Sequence, residues 1–178
     1  MENQSEIQIS ILEKKAIDFD GTEKILKLAF SSSLDKFSPE CFFSELSRME
    51  FDYFVLPVPI SNILTDEDEV YNEAFLVDLR KLVQQADGGF AFRDYNPILI
   101  QPTYESDLCN FEDFTACLKH TARRLKKENA LRGFIFDSSA IDSDITKGLK
   151  NEKARQFFAD ELLEKHPQYK FYLIESAK

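Results

Sequence analysis

The chain has 178 residues, 43% of them apolar with 17 phenylalanines, and carries 22 Lys and Arg against 32 Asp and Glu. That length and apolar content support one domain with a packed core, and no long Gly, Pro or Ser linker divides the chain. The net charge of −10 repels a phosphate backbone or an anionic bilayer, which sets aside nucleic acid and membrane as partners.

The opening residues lack the basic start and apolar run of a signal peptide, and no apolar stretch reaches the roughly 18 residues that span a bilayer, so a cytoplasmic location is expected. Three cysteines, Cys41, Cys109 and Cys117, form no CxxC pair, and their odd number fits reduced thiols. Cys117 and His120 are spaced to share a helix face, but burial is the commoner fate of cysteine, and neither a metal site nor a cofactor is expected.

Residues 6–12 alternate, with Ile7, Ile9 and Ile11 on one side and Gln8 and Ser10 on the other, the pattern of a half-buried strand. Asp18-Phe19-Asp20-Gly21-Thr22 follows, and resembles the DxDGT motif of haloacid-dehalogenase-type phosphatases. That resemblance implies a magnesium-dependent enzyme with Asp18 as nucleophile and Asp20 as acid and base, supported by Ser61 or Thr103, Lys119, Asp137 and Asp142. Against it, Lys14 and Lys15 interrupt the apolar strand that should bury the nucleophile. The plainer expectation is an Asp-Gly turn with Thr22 or Asp20 capping a helix over 23–30.

Ser38 and Pro39 mark the next helix start, with Phe42, Phe43, Leu46 and Met49 on one stripe. A strand is expected over 51–58, its second half an edge or a loop because Pro57 and Pro59 cannot donate ladder hydrogen bonds. The acidic run at 65–69 fits the amino end of a helix over 68–86 that turns Val70, Ala74, Phe75, Leu79, Leu82 and Val83 inward and stops at Gly88-Gly89. Residues 90–92 and 97–101 are expected to pair as a hairpin ended by Pro102. Asn110 caps a helix whose apolar face is Phe111, Phe114, Leu118, Ala122 and Leu125, with acids first and Arg123, Arg124, Lys126 and Lys127 last.

Phe134-Ile135-Phe136 is apolar throughout, the mark of an internal strand covered on both faces. Asp137, Ser138 and Ser139 follow at its carboxyl end, where α/β sheets gather ligands. A helix over 151–165 and a strand over 171–174 complete the chain. The expected fold is α/β, a single-domain mixed sheet of about five or six strands with helices packed on it.

Three segments resemble the amino-terminal domain of SseB-type proteins, the enhanced-serine-sensitivity family of bacteria. They are Cys41-Phe42-Phe43-Ser44-Glu45-Leu46 leading to Leu56-Pro57-Val58, the run Pro97-Ile98-Leu99-Ile100-Gln101-Pro102-Thr103-Tyr104-Glu105-Ser106, and Phe134-Ile135-Phe136-Asp137-Ser138-Ser139. The resemblance covers residues 28–142 and leaves 143–178 as a helix-and-strand extension. Departures are Tyr104-Glu105-Ser106 in place of a shorter F-T-S and Asp137-Ser138-Ser139 without the family's proline and glycine. It implies a non-enzymatic interaction module with a link to secretion. Arg93, Tyr104, Ser106 and Asp137 are the residues expected to meet a protein partner or small ligand.

Overall fold

The Asp-Gly turn sets the architecture, because it folds the first two strands into a hairpin. The computed structural model describes residues 7–32, 34–36, 38–90, 92–138 and 142–175. Strand β1 (Ile9–Asp18) and strand β2 (Glu23–Ser31) pair antiparallel from Ile9 opposite Ser31 to Ile17 opposite Glu23. Asp18 donates its amide to the Thr22 carbonyl at 2.8 Å, and Gly21 closes the turn at φ +91°, a conformation glycine adopts without the Cβ clash.

Residues 23–30 are therefore strand, not the helix expected from the apolar positions Ile25, Leu26, Leu28 and Ala29. Leu26 and Leu28 face one side while Lys27 and Ala29 face the other, and nine cross-strand pairs with β1 override weak helix propensity.

After β2 the chain makes a 3-10 turn (Leu34–Lys36) and helix α1 (Pro39–Leu46), with Ser38 accepting from the Cys41 amide and Pro39 at the first helical position. Strand β3 (Tyr53–Pro59), helix α2 (Glu73–Ala86), strand β4 (Ile98–Thr103), helix α3 (Phe111–Leu125) and strand β5 (Leu131–Asp137) follow. Helices α4 (Asp144–Lys150) and α5 (Glu152–Lys165) then lead to strand β6 (Lys170–Ile174). Strands β2 to β6 run parallel, each beside its sequence neighbour, and β1 closes the sheet antiparallel to β6. Among the described residues the result is a closed, barrel-like mixed sheet of six strands with five helices around it. Strand β6, against which β1 closes the sheet, comes from the stretch expected as an extension, so residues 170–174 are integral to the sheet.

Strand alternation divides the core in two. Ala16, Leu28, Val55, Leu99, Ile135 and Tyr172, one from each strand, meet inside the barrel. The other parity, with Phe54, Ile100, Phe134, Phe136 and Phe171, faces outward into a larger cluster beneath the helices. Phe134-Ile135-Phe136 thus sits between β4 and β6 with one aliphatic side chain inside and two rings outside. Truncating Phe136 to alanine costs about 3–5 kcal/mol on this account.

Several expected boundaries move. Helix α2 begins at Glu73, not residue 68, because Asn72 takes the cap position and accepts from the Phe75 amide at 3.1 Å. The acidic run instead forms a tight loop pinned by the Leu64–Tyr71 bridge and by Thr65 Oγ1 donating to the Val70 carbonyl. Val70 is exposed there. The expected hairpin of residues 90–92 with 97–101 does not form: Ala91 lies outside the described residues, Phe90 and Phe92 are not in a strand, and β4 is already paired on both sides. Pro102 stays within β4, opposite Val58. An additional helix, α4, precedes α5; Ser143 caps it by accepting from the Thr146 amide at 3.1 Å. Among the described residues no helix is long and apolar enough to cross a membrane.

Candidate functional site: a groove where two strands part

Strands β2 and β3 share only two pairs, Leu28 with Tyr53 and Ala29 with Phe54. Strand β2 itself ends two residues further on, at Ser31, and β3 offers no donor beyond that point. The Phe54 amide of β3 donates to the Pro97 carbonyl of the β4 side, so by alternation Leu56 and Val58 also turn their amides toward β4. Residues 57 and 59 face the β2 side, and both are prolines with no N–H to offer. The expectation that the second half of this strand behaves as an edge is met on that one side.

The parting leaves a cavity of about 590 Å³ at the carboxyl ends of β2 and β3. Leu56 and Val58 form its floor, and α2 forms one wall through Phe75, Leu79 and Leu82. The other wall is Ser32, Leu34 and Asp35, and Asp78 stands on the α2 rim. Phe75 and Leu82 are half-buried, so their inward spacing leaves apolar surface for an occupant. The volume lies in the range of ligand pockets, and carboxyl strand ends are where α/β sheets hold ligands.

Of the four residues expected to meet a partner, Tyr104, Ser106 and Asp137 stand at the carboxyl ends of β4 and β5, and Arg93 stands apart from them. Tyr104 follows β4, with its hydroxyl 3.1 Å from Thr146 Oγ1, and burial raises its phenol above the usual value, helped by nearby Asp137. Asp137 ends β5, and Ser106 is exposed two residues beyond Tyr104. Arg93 lies at the opposite, amino-terminal end of β4, where its guanidinium donates to the Met49 carbonyl and covers the Phe51 ring at 4.5 Å. Burial pulls Arg93 below its usual pKa, and its contacts make it a clamp on the loop before β3. Ser139 lies outside the described residues.

Asp18 and Asp20 belong to the hairpin turn. Asp18 is 3.9 Å from Lys24 Nζ, and Asp20 accepts the Thr22 amide at 2.8 Å. Bonding to Thr22 holds the Asp20 carboxyl below the usual carboxylate range. The turn leaves the sheet at the amino end of β6, with the Phe19 amide on the Phe171 carbonyl, whereas Asp137 stands at the carboxyl end of β5. Lys15 is exposed and pairs with Glu23 at 2.9 Å. Of the other residues that motif would need, Lys119 pairs with Glu161 and Asp142 with Lys147 at 3.7 Å, and Ser61 is exposed.

A second polar cluster joins α2 to α3. Glu73 Oε1 accepts from Arg124 at 2.9 Å and lies 2.7 Å from His120 Nε2. A guanidinium can only donate, so His120 Nδ1 accepts from Arg123 at 2.9 Å and Nε2 carries the proton aimed at Glu73. Tyr71 stacks on the imidazole at 4.3 Å. With both ring nitrogens engaged, this cluster works as a brace. Cys117 is buried, Cys109 is half-buried and Cys41 is exposed. Among the described residues no three His, Cys, Asp or Glu side chains are grouped to hold a metal ion.

No protein-family model, curated protein or solved structure matches the chain. Its class is therefore defined by architecture alone, a barrel-like α/β protein with an apolar groove at the carboxyl ends of two diverging strands.

Proposed function

We propose that this protein is a non-enzymatic cytoplasmic interaction module of the SseB-like kind, acting through the groove between β3 and α2. The observation that carries the reading is the groove itself: an apolar floor and wall at the carboxyl strand ends, where β2 and β3 part after Ala29 and Phe54 and Pro57 and Pro59 offer β2 no further donor. A secretion-related role is part of the same reading and rests on the family resemblance. The alternative, a magnesium-dependent phosphatase using Asp18 and Asp20, draws no support from the geometry, since the turn and Asp137 face away from each other along the sheet.

Titration with the neutral apolar dye Nile red tests the reading. Saturable binding near one dye per chain, lost in Leu82→Glu with the fold retained by circular dichroism, is the expected result. A wild-type protein that takes up no dye removes the groove as a binding surface.

A further inference from the structure

We propose that the groove receives an amphipathic helix from a partner protein, with an apolar stripe on one face and Lys or Arg along its flanks. The inference rests on the groove being the binding surface, and it adds the partner's shape and charge. Shape comes from the helical layer over β3. The rings of Phe42 and Phe43 on α1 pack against Phe54 at 5.3 and 6.1 Å, so α1 covers the first half of the strand. An eight-residue helix is only about 12 Å long, against about 23 Å for seven residues of strand. Leu56 and Val58, in the second half, have the α2 stripe of Phe75, Leu79 and Leu82 beside them and the short 3-10 turn opposite. A helix of two to three turns laid there would continue the layer that α1 begins.

An extended strand is the poorer occupant. Pairing with the β2-facing edge of β3 would need donors that Pro57 and Pro59 lack. Charge follows from the rims. Asp35 stands on one wall and Asp78 on the other, and Lys81, 3.5 Å from Asp78, pairs with it only across exposed surface. The chain as a whole carries −10, which favours a cationic partner.

The test uses two fluorescein-labelled synthetic helices of 14 residues with the same leucine face, one flanked by lysine and one by glutamate, read by anisotropy near 0.15 M salt. The lysine peptide is expected to bind one to one, at least ten-fold more tightly than the glutamate peptide. It should weaken several-fold in the double variant Asp35→Asn, Asp78→Asn and be lost in Leu82→Glu, with Phe75→Ser as a second groove variant should Leu82→Glu fail to fold. Equal binding of both peptides overturns the charge argument. Lysine-peptide binding unchanged in the groove variants overturns the location, because the acidic surface elsewhere would then suffice. If neither peptide binds while Nile red still saturates, the helix is wrong and the module reading stands; if dye and peptides all fail, both fall.

Discussion

A methyl carbon placed on Gly133 would lie 1.9 Å from the carbonyl oxygen of Lys170. Gly133 is opposite Lys170 in the β5–β6 ladder, at φ +151°, where side chains are rarely accommodated. The close approach lets β6 dock and so closes the sheet. Gly133→Ala should destabilise by about 3 kcal/mol or more, since neither backbone can retreat without breaking the ladder. Urea denaturation would show it; an unchanged midpoint would mean that β6 docks another way.

Asp18 and Asp20 should be dispensable for any chemistry on phosphate esters. Wild type and Asp18→Asn are expected to give the same background rate with p-nitrophenyl phosphate and magnesium, and Asp18→Asn should cost under about 1 kcal/mol as a change in a surface turn. Magnesium-dependent turnover that disappears in Asp18→Asn would restore the phosphatase reading.

The thiols should react in order of burial. Burial raises Cys117 to about 12 and Cys109 to about 11, which leaves little thiolate at neutral pH. Iodoacetamide labelling of native protein followed by peptide mass spectrometry should find Cys41 modified first and Cys117 only after unfolding. Zinc analysis of the purified protein should show well under one equivalent.

Glu73 ties the start of α2 to α3, and its carboxyl is held below the usual range by Arg124 first and by His120 as well. A depressed acid stabilises above its unfolded pKa, and the contribution is lost as pH falls through the folded value. Glu73→Gln should therefore lower stability at pH 7 by under about 1 kcal/mol, the side chain being exposed, and the difference should vanish in acid. Thermal midpoints of the pair across pH 2 to 7 give the comparison.

Asp87, at the carboxyl end of α2, has the opposite sign. Burial raises its carboxyl above the usual range, Glu128 adds to the rise, and among the described residues Oδ1 is buried without a hydrogen-bond partner. Such an acid favours the folded state while protonated, so its contribution is full below the unfolded pKa and is lost as pH rises through the folded value. Asp87→Asn, which stays neutral, should raise the midpoint at pH 7 relative to wild type and lose that advantage in acid.

Local chemistry determined many of the elements by itself. Ser38-Pro39 and Asn110 start helices where residue type requires a cap, Asp20-Gly21 makes a turn, and Phe134-Ile135-Phe136 must be covered on both faces wherever it goes. Those signals act within a few residues, so composition and spacing suffice to read them. Pro57 and Pro59 likewise announced an unpaired edge, because a missing N–H is a property of the residue.

Contacts distant in sequence decided the rest. Residues 23–30 became strand through pairing with β1, and 90–92 were denied a partner because β4 was already paired with β3 and β5. Arg93 and Tyr104, eleven positions apart, went to opposite ends of β4, since a strand between two loops separates what sequence places close together. The groove had no local signature for the same reason. Phe75 and Leu82 read as core residues on α2, and they line a cavity because β2 and β3, distant from them in sequence, part after Ala29 and Phe54.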